Sequence, residues 1–157
     1  ILYWLNTKNI INHFHQNYIN KRRIVFLGIS SAILLTLHSI FLGIKFDNDL
    51  YKLFRRVVML LFIIFEIAAQ AYLVSALYSF KNKLGEFINP KVLSIKIYLV
   101  SFLIIVAVIS IPIVSLPGDD FLGFNLKSFK HALEWDYFIG VITFYLLTFL
   151  MWNKTNS

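Results

Sequence analysis

Residues 57–80 read VVMLLFIIFEIAAQAYLVSALYSF, and Glu66 is the only charged side chain among them. A helix that crosses a bilayer needs about 20 largely apolar residues. The soluble alternative, a helix buried in a large core, does not suit the rest of the chain. Of its 157 residues, 59% are hydrophobic and 15% are charged, and the mean hydropathy is +0.72. Soluble domains sit near 45–50% and 25%. Disorder is excluded as well, because 17% aromatic residues is far more apolar surface than an unfolded chain carries. There is no cysteine, which removes disulfides, thiolate metal sites and cysteine nucleophiles.

Working outward from this stretch, three more apolar runs predict spans at about 24–44, 97–116 and 132–152. The expected fold is all-α, a single integral-membrane helical bundle over residues 1–157 with four transmembrane helices. Trp135 and Trp152 bracket the last span, about 26 Å apart along a helix, a spacing suited to two interfacial aromatic belts. Pro112, inside the third span, is a tolerated kink site. Residues 1–5, Ile-Leu-Tyr-Trp-Leu, read as the end of a preceding span or as an interfacial segment.

The charge is +7, from 15 basic and 8 acidic residues. The basic residues fall between the apolar runs, so they report topology rather than nucleic-acid binding. Lys8, Lys21, Arg22, Arg23, Lys81, Lys83, Lys91, Lys96 and Lys154 fall on one side. Lys45, Lys52, Arg55, Arg56, Lys127 and Lys130 fall on the other, beside Asp47, Asp49, Asp119 and Asp120. Nine against six makes the first side, with the C-terminus, cytoplasmic.

An ionisable group inside a span is costly and calls for a reason. Glu66 and Gln70 lie four residues apart and share a helix face. His38 falls at similar depth in the preceding span, so a His38–Glu66 hydrogen bond, with Thr36, Ser39 and Gln70 nearby, is the expected polar centre. The bland alternative is a neutral Glu66 bonded to a neighbouring hydroxyl or carbonyl, since burial favours the uncharged acid. His131, Glu134, Trp135 and Asp136 open the fourth span; Glu134 and His131 share a face, and acidic groups there also complement the helix dipole. Arg55 and Arg56, with His131, are the candidates for lipid headgroups. Ala71, Ser75 and Ser79 form a small-residue row that permits close helix approach or oligomerisation. His13 and His15 lack a third ligand, so no metal is expected, and no cofactor. No catalytic motif is present.

The fourth span resembles the last helix of the DRAM/FRAG/Sfk family, which includes damage-regulated autophagy modulators and the post-GPI-attachment factor. The matching residues are Ala132-Leu133, Glu134-Trp135, Phe144-Tyr145 and Thr148-Phe149, with Ala76-Leu77-Tyr78-Ser79 similar to the family's helix end before its last cytoplasmic loop. Of the site candidates, only Glu134 and Trp135 belong to that motif. The resemblance implies a six-span protein with cytoplasmic termini, of which this chain is the C-terminal part. It also implies a non-enzymatic role in membrane lipid organisation or trafficking, with lipids as partners. The runner-up readings are a lipid-modifying enzyme or subunit using Glu66, His38 and Glu134, and a small proton-coupled transporter built on Glu66.

Overall fold

The structure, a computed structural model, describes residues 1–14, 18–44, 48–84, 87–115, 120–121 and 124–152. At residues 42, 52, 111–115, 120–121, 124–127, 130, 131 and 134 the description is of the backbone alone. The elements are α1 (Leu2–Phe14), α2 (Lys21–Leu42), α3 (Asp49–Ser79), α4 (Lys81–Leu84), α5 (Pro90–Ser115), β1 (Asp120–Phe121), β2 (Phe124–Asn125) and α6 (Leu126–Met151). Three helices are long and apolar enough to cross a membrane: Lys21–Phe41, Asp49–Ser79 and Pro90–Ser110. In α6 the apolar part is shorter, Trp135–Met151. By length and composition this is an integral membrane protein.

The helices start earlier than the hydropathy suggests. Asn48 caps α3 by accepting from the Leu50 amide at 3.0 Å, so the helix opens at Asp49 rather than near residue 57. Asn89 does the same for the Lys91 amide at 3.0 Å, and Pro90 takes the first helical position, where its missing N–H costs nothing. Polar first turns thus belong to the helices, because a cap, not the edge of the apolar run, sets where a helix begins. Where a loop was expected before the fourth span, β1 and β2 pair antiparallel, Asp120 with Asn125 and Phe121 with Phe124, and α6 follows at once.

The chain forms two units, Ile1–Lys83 and Leu84–Ser157. In the first, α2 packs antiparallel to α3, and α1 packs on α2. The 1–5 segment is the start of a 13-residue helix, not an isolated stub. That helix buries Trp4, Thr7 and Ile11, a one-face pattern. Its Trp4 indole lies directly over Gly28 of α2. The Tyr51 hydroxyl hydrogen-bonds the carbonyls of Phe41 and Ile44 at the end of α2, beside the Gly43 and Ile44 amides that the Phe41 carbonyl also accepts from. Phe41 also meets Phe54 edge-on at 5.3 Å.

In the second unit, α5 packs on α6. Leu93, Lys96, Val100, Leu103 and Ser110 are the buried stripe of α5, spaced as one helix face. The same helix leaves Tyr98, Phe102, Ile105, Val108 and Ile109 exposed, large apolar side chains that suit lipid rather than water. The start of α5 and the end of α6 are tied by the Asn89 amide donating to the Met151 carbonyl at 2.8 Å. Gly140 of α6 admits Leu103, whose Cδ2 would stand 2.7 Å from an added Cβ. A leucine tip can turn aside, so Gly140→Ala should cost only about 1 kcal/mol, read as a small fall in Tm in detergent.

Candidate functional site: a buried carboxyl between α2 and α3

The first unit carries its polar centre at Glu66, which is 2% exposed and lies in mid-α3. The helix places Gln70 one turn on, and its amide Nε2 donates to Glu66 Oε1 at 2.9 Å. From α2, Ser31 Oγ is hydrogen-bonded to Glu66 Oε2, and the same hydroxyl donates to the Gly28 carbonyl at 3.0 Å. Ser31 and Gln70 are both fully buried. The Oε1 of Gln70 is buried without a hydrogen-bond partner among the described residues. Three polar side chains from two helices thus share one water-excluded spot, which Trp4 of α1 flanks at Gly28.

Ser31, rather than His38, is the α2 residue brought to Glu66. The register explains the difference. Phe41 meets Phe54 and Ser31 meets Glu66, so stepping back along α2 steps forward along α3. His38 stands two turns past Ser31, about 10 Å of helix rise, and falls level with roughly Val58. The expectation of equal depth took span midpoints from hydropathy. The capped start at Asp49 lengthens α3 and moves that midpoint. Thr36 and Ser39 are exposed and bond back to the carbonyls of Ala32 and Leu35, so they do not line the centre either.

Gln70 and Glu66 do come together, as their four-residue spacing requires. Arg55 and Arg56 occupy the second turn of α3. Arg56 is exposed, and the Nε of Arg55 is buried with no hydrogen-bond acceptor among the described residues. Trp135 is 69% exposed, and Asp136 beside it is exposed too. The side chains of His131 and Glu134 lie outside the described residues, as do His15, Lys45, Asp47, Asp119 and Lys154. Ser75 and Ser79 are exposed, with Ser79 Oγ donating to the Ser75 carbonyl at 2.9 Å. No group of three or more His, Cys, Asp or Glu residues suited to a metal ion occurs among the described residues.

The residue that sequence reasoning missed is Lys96. It was expected in a cytoplasmic loop. It is instead fully buried in α5, with Nζ 3.9 Å from the centroid of the Phe144 ring and hydrogen-bonded to Thr148 Oγ1. Thr148 donates its own hydrogen to the Phe144 carbonyl at 3.0 Å, which leaves its lone pairs for the lysine. The available signal was Asn89-Pro90, a cap followed by a first-position proline, which puts Lys96 on the second turn of a helix.

Set against family models, curated proteins and solved structures, the chain matches none of them.

Proposed function

We propose that this chain is a non-enzymatic, multi-pass membrane protein of the DRAM-like kind that organises lipid, and that it engages phosphate-bearing headgroups through Arg55 and Arg56. Four spans cross in this reading, α6 through its Trp135–Met151 part, with the C-terminus cytoplasmic. The excess of basic residues on that side and the exposed Trp135 support the arrangement.

The observation that carries the reading is the Arg55 Nε–H, buried and without an acceptor among the described residues. A buried donor without a partner costs free energy. A lipid phosphate would supply the acceptor in the forked geometry that guanidinium favours. Arg56, exposed next to it, adds a second positive charge to the same approach. Nothing in this role asks the protein to make or break a bond.

The test is lipid retention. Protein extracted with its surrounding lipid, or reconstituted in mixed phosphatidylglycerol and phosphatidylcholine, should retain the anionic lipid preferentially. Arg55→Gln should weaken that preference about tenfold, the worth of a charge-assisted hydrogen bond of about 1.5 kcal/mol. Arg55→Lys should recover only part of it, because the ammonium keeps the charge and loses the fork. Equal lipid retention by the wild type and an Arg55→Gln/Arg56→Gln double variant would refute the reading.

A further inference from the structure

We propose that the end of the first unit where α2 begins and α3 finishes is a docking surface for a lipid whose headgroup carries several phosphates. It lies at the opposite end of the α2–α3 pair from Arg55 and Arg56, and neither assignment depends on the other.

Residues 1–44 and 67–85 contain no Asp or Glu, while they carry Lys8, Lys21, Arg22, Arg23, Lys81 and Lys83. The fold collects these cations. Because α2 runs antiparallel to α3, Lys21, Arg22 and Arg23 come level with the last turn of α3. Tyr18 meets Phe80 edge-on at 5.2 Å, which ties the start of α2 to that turn. Lys21 Nζ donates to Asn12 Oδ1 at 3.0 Å and brings the end of α1 to the same place, with Lys8 one turn back. Lys81 Nζ stands 4.6 Å from the centroid of the Tyr78 ring. Lys8, Arg22, Arg23, Lys81 and Lys83 are exposed. The nearest acids along the chain are Glu66, about 20 Å of helix rise back from Ser79, and Glu86, which lies outside the described residues.

Helix stability explains only part of this charge. Lys81 and Lys83 follow the C-terminus of α3, where cations complement the helix dipole. Lys21, Arg22 and Arg23 do the reverse. They form the first turn of α2, which holds no acidic residue, and Asn20 makes no side-chain capping bond there. Three cations at the positive end of a helix oppose its dipole and repel one another. A multivalent anion removes both costs. The cations are spread over the ends of three helices, wider than a single phosphate reaches, so the headgroup that fits carries more than one.

The surroundings select a lipid as the bearer of those phosphates. Ile19 is 88% exposed between Tyr18 and Lys21, and Phe26 and Tyr78 are exposed beside the cations. Acyl chains would cover these side chains. Both helices run from here directly into apolar spans, Lys21–Phe41 and Asp49–Ser79, which holds the basic residues at headgroup level. Juxtamembrane clusters of this size attract anionic lipid.

The experiment reconstitutes the full chain in nanodiscs of phosphatidylcholine with a constant share of phosphatidylglycerol, so that a site accepting any single phosphate is already filled, and adds a trace of phosphatidylinositol bisphosphate. Native mass spectrometry counts the lipid retained, and Tm in detergent shows that each variant is folded. The wild type should enrich the bisphosphate lipid about tenfold or more over phosphatidylglycerol, and less at high salt. Arg22→Gln/Lys81→Gln/Lys83→Gln, all at exposed positions, should bring the enrichment close to one, each charge contributing up to about fivefold. Lys45→Gln/Lys127→Gln/Lys130→Gln removes the same charge from positions that the basic bias assigns to the other side, and should keep the enrichment. Should the first triple variant fail to fold, Arg22→Gln alone takes its place, with a loss of about fivefold. Full enrichment in the first variant, or an equal loss in the second, would overturn the proposal. So would equally tight binding of the soluble inositol headgroup without acyl chains, which assigns a free polyphosphate, or binding of poly-glutamate with no preference among lipids, which assigns an acidic protein segment.

Discussion

Gly28→Ala should dislodge α1 from α2. A Cβ built on Gly28 falls 2.1, 2.3 and 2.5 Å from Cδ2, Cε2 and Cγ of Trp4. These are atoms of a rigid indole, not the tip of a flexible chain. The ring is 1% exposed, so it is hemmed in on its other sides and can yield only if the helix that carries it moves. Overpacking of a fixed core commonly costs 1–3 kcal/mol, and this contact belongs at the upper end, about 3 kcal/mol. Two measurements report it. Tm in detergent should fall markedly. In a Trp135→Phe/Trp152→Phe background, Trp4 is the only indole left, and its emission should shift to the red as the ring leaves its packed site. The double variant Gly28→Ala/Trp4→Leu should regain most of the loss, because the two side chains couple through a single shared space. Unchanged emission and Tm in Gly28→Ala would mean that α1 does not lie on α2 as described.

Phe144→Ala should be the most damaging single change in the second unit. Phe144 is completely buried on α6, and large-to-small changes at such aromatic positions cost about 3–5 kcal/mol. Here the ring also faces the Lys96 ammonium at 3.9 Å, a contact worth about 2 kcal/mol when desolvated. The two contributions separate cleanly. Phe144→Leu keeps much of the volume and removes the π face. Lys96→Met keeps the apolar stem and removes the charge, and should be neutral or stabilising, as replacing a buried charge by a fitting apolar group often is. A double-mutant cycle of Phe144→Leu with Lys96→Met should return a coupling of about 1–2 kcal/mol. A coupling near zero would show that Lys96 and Phe144 are neighbours without an energetic bond.

Glu66 and Gln70 were legible as a pair because a four-residue spacing on one helix is a local fact, independent of what packs against it. Their partner was not. Choosing between Ser31 and His38 required the register of α2 against α3, and that register depends on the Asn48 cap, the Tyr51 bonds across the turn and the Phe41–Phe54 contact. Lys96 was misplaced for a related reason. A hydropathy window treats a lysine as the edge of a span, whereas a helix nucleated at Asn89-Pro90 carries it inward and leaves its neighbours to accommodate the charge. The Arg55 and Arg56 headgroup candidates were readable as basic residues near a helix start, but the burial of Arg55 Nε with no acceptor among the described residues exists only in three dimensions.

The sequence by itself determined that this chain is built from apolar helices long enough for a bilayer, with no cysteine chemistry and very few ionisable groups inside them. Length, hydropathy and caps are properties of consecutive residues, so they survive without any knowledge of neighbours. The tertiary structure alone decided which groups meet: Trp4 on Gly28, Ser31 on Glu66, Lys96 on Phe144. In helices such as α2 and α5 the apolar side chains run all the way round, since lipid is as apolar as the protein interior. Hydropathy therefore marks no inner face, and only the interlocking of individual side chains picks one.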